Sequence, residues 1–199
     1  MLEFEEATHT YKLAGRIVPS VTQIINSIWP VHDAGAYYRE RGNALHKAIE
    51  LSDAGRLNWK TVHDEIAGKV KAWEKFRKDW PRPIIARELP IGHSVYGFAG
   101  KLDAAFDGQD KFHVIADAKS TLSPLVKLQI GGYALLWRTI HRQASIRGLA
   151  IELRNDESYR CEWMKMDDVR LYEQTFLNAL GVFNFTRTHK LKGPNGTTT

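Results

Sequence analysis

Between Ile84 and Lys119 the chain reads as a run of short strands, with helical segments on both sides. Ile84 to Leu89, Val95 to Phe98, Lys101 to Phe106 and Phe112 to Lys119 are the four strands, and Asp107-Gly108-Gln109-Asp110 makes the turn between the last two. Before them, His9 to Leu13 and Ile17-Val18 read as a hairpin turning at Ala14-Gly15-Arg16. Pro19 ends it, and Ser20 with Gln23 makes a capping box for a helix to about Ser27. Two more helices are predicted, Ala36 to Ser52 and Lys60 to Asp79, the second stopped by Pro81 and Pro83. Its Val62, Ile66, Val70 and Trp73 recur at helical spacing, so one side is buried. After the strands come a buried helix, Leu125 to His141, strands at Ile146 to Leu153 and Tyr159 to Met164, and a helix capped by Asp167 that runs to about Phe185. This order predicts an α/β (α+β) domain around one central sheet.

At 199 residues the chain is sized for one domain, read as 1–188, with a flexible tail over 189–199 that contains Gly193-Pro194-Asn195-Gly196 and three threonines. Cys161 is the only cysteine, which excludes an intrachain disulfide, a Cys₄ zinc site and a cysteine-held iron–sulfur cluster within one chain. Uninterrupted apolar stretches such as Tyr133 to Trp137 fall far short of the roughly 18 residues of a membrane span. The acidic start, Met1 to Glu6, is not a signal peptide, so the expected location is intracellular and cytoplasmic, with no membrane partner. Net charge is +5, and Ala118 to Ile151 holds no acid but has Lys119, Lys127, Arg138, Arg142 and Arg147. That stretch equals the whole excess; it suits an anionic partner, of which nucleic acid is the commonest, and equally a solvated helix face.

Asp117-Ala118-Lys119 closes the apolar run Val114-Ile115-Ala116 and is the only acid-x-Lys triplet in the chain. Residues i and i+2 of a strand share a face, so Asp117 and Lys119 project together and Ala118 points into packing. A carboxylate that holds Mg²⁺ beside an ammonium that steadies a phosphate suits phosphodiester hydrolysis; an edge-strand ion pair is the plainer account. Asp103, in Gly100-Lys101-Leu102-Asp103, sits one hairpin away, and antiparallel pairing brings it beside Asp117. Two such carboxylates repel unless a cation lies between them. Gly97 and Gly100 weaken a strand unless the backbone there must approach something closely.

His46 follows Gly42 by four residues on one helix face, at the margin of the core side marked by Leu45 and Ile49. Gln129 and Tyr133, also four apart, are polar tips on an otherwise apolar helix and need partners. Ordinary packing accounts for either pair as well. Trp73, Trp80 and Trp137 suit base stacking or, better, core packing. Arg41 and Arg138 suit phosphate contacts or surface salt bridges. His63, His93, His113 and His141 have no ligand-like spacing.

In order, His46, Gly100 to Asp103, Asp117 to Lys119 and Gln129 to Tyr133 resemble the PD-(D/E)xK nuclease superfamily, in its RecB-like and phage-type exonuclease branch. The His9 to Val18 hairpin, Pro19-Ser20-Val21-Thr22 and Arg41-Gly42 also resemble compact phage nucleases and the mitochondrial genome maintenance exonuclease. The resemblance implies a restriction-endonuclease-like core, a mixed central sheet flanked by helices. It implies that His46, Asp103, Asp117 and the backbone carbonyl of Ala118 ligate Mg²⁺ or Mn²⁺. Lys119 would contact phosphate and water, Gln129 and Tyr133 would support lysine and substrate, and Glu88 would bind a second metal or orient the first set. The iron–sulfur cluster of some relatives is excluded, and no phosphate-binding Gly-x-x-x-x-Gly-Lys loop marks a motor.

The expectation is therefore a metal-dependent deoxyribonuclease, an exonuclease ahead of an endonuclease, acting in DNA recombination, repair or phage DNA processing. Its partners would be single-stranded DNA or a duplex end and a single-strand annealing or binding protein; if phage-encoded it would work in a bacterial host cell. A non-catalytic nucleic-acid-binding module with the same fold is the alternative, and an RNA-directed nuclease with the same site a third.

Overall fold

The computed structural model describes residues 1–6, 8–30, 35–109, 111–142 and 144–191. A small antiparallel sheet opens the chain, built from β1 (Leu2–Glu5), β2 (Thr10–Leu13) and β3 (Arg16–Val18) in that order. β1 adds a strand to the predicted hairpin. Helix α1 (Val21–Ile28) begins at the predicted capping box: Ser20 Oγ accepts from Gln23 N–H at 3.1 Å, and Gln23 Oε1 accepts from Ser20 N–H at 2.8 Å. Ala99 N–H donates to Pro19 O at 3.0 Å and hooks this entry onto the central sheet.

Helices α2 (Gly35–Asp53) and α3 (Asp64–Asp79) follow, separated by one 3₁₀ turn at Trp59–Thr61. The predicted start at Lys60 is therefore corrected. His63 adopts an extended conformation and its Nδ1 accepts from Glu65 N–H at 3.3 Å, so it caps α3, with Asp64 and Glu65 in the first turn suiting the helix dipole.

The central sheet has five strands in the order β4 (Ile84–His93), β5 (Phe98–Asp107), β6 (Phe112–Lys119), β7 (Ser145–Leu153), β8 (Tyr159–Met164). Only β6 and β7 run parallel, joined through α4 (Pro124–Ile140); α5 (Met166–Thr188) ends the order. This is the mixed sheet flanked by helices that the resemblance implies.

Three local expectations are corrected. Val95–Phe98 is not a strand but mostly a turn: Gly97 has φ +68°, its N–H donates to His93 O at 2.8 Å, and Val95 is exposed. β4 runs past Pro90 because it is an edge strand, where a missing N–H forfeits no ladder bond. Asp167 does not cap α5; the cap is Lys165, whose N–H donates to Asp168 Oδ2 at 2.8 Å. Asp110 of the predicted turn and most of the predicted tail, 192–199, lie outside the described residues.

Each face of the sheet is covered. Ala105, Ile115 and Ala150 pack with α1, α4 and α5 on one side. Ala104, Phe106, Val114, Ala116, Ala118, Leu149 and Ile151 pack with α2 and α3 on the other. The strand alternation thus puts Ala118 into core and leaves Asp117 and Lys119 on the α4 side. Trp73 and Phe76 are fully buried on the α3 side, where truncation of either costs about 3–5 kcal/mol. Among the described residues no helix is long and apolar enough to cross a membrane.

Candidate active site

A cleft of about 730 Å³ opens where the central strands meet α2, α4 and the N-terminal sheet. Its floor carries Glu88, Lys101, Asp103 and Lys119; α2 supplies Asn43, His46, Lys47 and Glu50, and α4 supplies Gln129 and Tyr133. Register explains the floor. Arg87 pairs with Ala104 and Leu89 with Leu102, so Glu88 faces Asp103 across the β4–β5 ladder. Ala104 pairs with Ala116, so one residue further along Asp103 comes level with Asp117. Three carboxylates therefore lie in one row across three adjacent strands.

Like charges directly opposite destabilise a sheet, so this row needs cations. Lys119 Nζ lies 2.5 Å from Asp117 Oδ1 and 3.6 Å from Asp103 Oδ2. Lys101 Nζ lies 2.9 Å from Glu88 Oε2. His46 Nδ1 lies 3.4 Å from Glu88 Oε1 and 3.6 Å from Asp103 Oδ2. Ala118 N–H donates a long bond, 3.4 Å, to Asp103 Oδ2.

Burial disfavours every charge here, and the partners decide the outcome. Burial and the neighbouring Asp103 charge push the Asp117 carboxyl up to about 7, against the pull of Lys119. Burial would also raise Asp103, but Lys119 and His46 outweigh it and hold that carboxyl low. The Asp103 carboxylate raises His46 despite burial. Burial opposes the Lys119 charge, yet Asp103 and Asp117 raise its pKa well above the usual lysine range, so it stays cationic. Tyr133 is raised by burial and the two aspartates and keeps its proton. Its oxygen accepts from Gln129 Nε2 at 2.8 Å, which leaves the O–H free to donate.

One ligand atom each from His46, Glu88 and Asp103 lies within 4.8 Å of the others, a geometry that suits one metal ion. Glu88 Oε1 is buried and makes no hydrogen bond. An imidazole with two carboxylates is a donor set suited to Mg²⁺ or Mn²⁺. Glu88 also has φ +46°, an uncommon left-handed conformation inside a strand. Asp117 stands on the far side of Asp103, both oxygens sealed from solvent, against Lys119 and the Asp103 carboxyl.

The expected site residues His46, Glu88, Asp103, Lys119, Gln129 and Tyr133 all line this one cleft, and Asp117 and Ala118 lie directly behind its floor. Lys101 escaped the sequence reading. Its signal was present, because Lys101 and Asp103 are i and i+2 on one strand, the relation already used for Asp117 and Lys119. Gly100 has the close neighbour its presence implied: an added Cβ would sit 2.9 Å from Tyr133 Cε1.

The other candidates go elsewhere. Trp73 and Trp137 are core, and Trp80 packs on Phe76, Phe106 and Trp163. Arg138 pairs with Glu173 at 2.8 Å, and Arg41 pairs with Glu65 at 3.3 Å while stacking on Tyr38. The acid-free stretch does not form one basic face. Lys127 pairs with Glu162 at 2.9 Å and Arg147 stacks over Phe112, so folding pairs much of the excess with groups distant in sequence. His113 accepts from Trp137 Nε1 at 2.9 Å, while His141 stacks on the Trp137 ring.

No protein-family model matches the chain, and no curated protein does. Among solved structures, the alkaline exonuclease LHK-Exo from Laribacter hongkongensis is similar over 86% of this chain and 91% of that one, at 11% identity and TM-score 0.39. LHK-Exo in complex with dAMP is similar over 86% and 93%, at 13% identity and TM-score 0.34. SSO0001 is similar over 79% and 74%, at 16% identity and TM-score 0.36. These likenesses are distant, and the functional reading rests on the side chains of the cleft.

Proposed function

We propose that this cleft hydrolyses phosphodiester bonds in DNA with a divalent cation, as an exonuclease. The observation that carries this reading is the row Glu88, Asp103, Asp117, with Lys119 against two of its members and His46 against the other side. His46, Glu88 and Asp103 would hold Mg²⁺ or Mn²⁺, and the resemblance adds Asp117 and the Ala118 carbonyl as ligands. When bound, the ion supplies charge neutralisation at the phosphate and a more acidic water.

The protein groups divide the remaining work. Lys119, held cationic by its two aspartates, binds a non-bridging phosphate oxygen and is not a base. Tyr133 donates its O–H to substrate and is oriented by Gln129. Lys101 offsets the Glu88 charge and adds a cation to the floor. A cleft of about 730 Å³ lies within the range of ligand-binding clefts and is large enough for a substrate to reach the carboxylate row. DNA recombination, repair or phage DNA processing is the setting that suits such an enzyme.

The test is digestion of end-labelled linear DNA beside the same DNA as a closed circle, with Mg²⁺ or with chelator. Loss of the linear form alone, only with metal, is the expected result, and the labelled end then gives polarity. Cutting of the circle makes the protein an endonuclease. Binding without cutting favours the non-catalytic module.

A further inference from the structure

One wall of the cleft comes from the N-terminal sheet, and the hydrolysis scheme gives it no role. Phe4 on β1 and His9 before β2 both line the cleft. Phe4 stacks on Tyr11 with ring centres 4.6 Å apart and 23° between planes, and meets His9 edge to face at 5.5 Å. Tyr11 is buried, and its hydroxyl lies 3.4 Å from His9 Nε2. One buried ring thus braces a half-buried and an exposed one at a cleft whose other lining is mostly polar or charged. His9 has φ +50°, so the backbone holds that ring from an uncommon conformation. Partial desolvation of the ring and the nearby Lys101 lower its pKa and favour the neutral imidazole.

Lys101 joins this cluster to the carboxylate row. Its ammonium lies 5.9 Å from the Phe4 ring centre and 2.9 Å from Glu88 Oε2. Glu6 also approaches it, at 3.7 Å, but that carboxylate is 84% exposed and screened by water. An aromatic face, then a cation, then the candidate metal group is the sequence of contacts that a base, its linking phosphate and the next phosphate would need.

We propose that Phe4, backed by Tyr11 and bordered edge-on by His9, forms a stacking platform for one unpaired base of single-stranded nucleic acid whose phosphate lies at the Glu88–Asp103 group. This rests on the nucleic-acid reading of the cleft and names its substrate as single-stranded. A base inside a duplex keeps both faces stacked on neighbours, whereas an unpaired base offers a free face to aromatic rings.

Anisotropy of fluorescein-labelled oligothymidylate, with the full chain and chelator present, measures binding without cleavage. The Phe4→Leu/His9→Ala double variant keeps apolar bulk on β1 and removes both aromatic faces. It should bind about ten-fold more weakly, the effect of one lost stacking contact. Phe185→Ala, an exposed aromatic on α5 that does not line the cleft, should keep its affinity. Thermal melting checks the fold, and if the double variant melts early, His9→Ala alone should still weaken binding. Unchanged affinity in folded variants overturns the platform, as does wild-type protein that binds blunt duplex as tightly as single strand. Wild-type protein that never cuts, yet binds single strands through Phe4 and His9, overturns hydrolysis and keeps the platform. Cutting with unchanged binding in the variants does the reverse.

Discussion

Glu88 and Asp103 face each other across the β4–β5 ladder, and Asp103 is in turn level with Asp117 on β6. Three acids side by side in a sheet work against folding, because each adds repulsion to its neighbour. The chain answers with Lys101 at the Glu88 end, Lys119 at the Asp117 end and His46 above Asp103. The arrangement trades stability for a focused anionic site.

Lys119→Ala should lose metal-dependent cleavage by a factor of at least about 100, since it removes the cation proposed to bind the phosphate. It also strips the fully buried Asp117 of its ion-pair partner, and breaking a buried pair is expensive. The metal-free variant should lose roughly 3 kcal/mol in urea unfolding. Added Mg²⁺ should recover part of that stability without restoring cleavage. Cleavage at the wild-type rate by this variant would sink the assignment.

Metal should stabilise the protein more at high pH than at low. The Asp117 pKa is pushed up in the folded state to about 7, so its protonated form is favoured there. Its contribution to metal-free stability is therefore present in acid and lost as pH rises from the unfolded carboxylate range through about 7. His46 is raised, so protonation blocks its nitrogen up to a higher pH than usual. The melting-temperature gain from Mg²⁺ or Mn²⁺ should grow steadily from weakly acidic to weakly alkaline buffer. Calorimetry in buffers of different ionisation enthalpy should show proton release on binding.

Gly100→Ala should lower activity more than its effect on stability predicts. The added methyl would meet Tyr133 Cε1 at 2.9 Å, Val21 Cγ2 at 3.1 Å and Leu136 Cδ1 at 3.2 Å. Overpacking of this kind costs about 1–3 kcal/mol. The ring that must move carries the hydroxyl held by Gln129 over the floor of the cleft. A variant with a lowered melting temperature but wild-type cleavage at permissive temperature would detach Tyr133 from the reaction.

The parts of this site legible in the sequence were those set by a two-residue repeat or a one-turn spacing. Asp117 with Lys119, Ala118 turned into core, and Gln129 with Tyr133 follow from such local rules. The neighbouring Lys101 and Asp103 obey the same rule and were legible too. Glu88 was legible only through the family resemblance, because no local spacing ties it to His46 and Asp103, which it meets only after folding. Pro90 read as a strand end because nothing local says that β4 is an edge. The acid-free stretch left two readings open for the opposite reason: Glu162 and Glu173, which neutralise Lys127 and Arg138, are distant in sequence and near only after folding.

Gly42 gives a last test, one that separates stability from function. It lies inside α2, one turn before His46, where glycine costs about 0.5–1 kcal/mol relative to alanine. An added Cβ there would meet nothing within 4 Å, so no packing contact accounts for the missing side chain. Its successor Asn43 and His46 both line the cleft, which puts the open space at the cleft's margin. Gly42→Ala should therefore raise the melting temperature while weakening cleavage, if the substrate strand crosses the helix at this point. Gains in both would leave Gly42 as an unoptimised helix position, and a loss of stability would mean that the space is filled by a part of the chain itself.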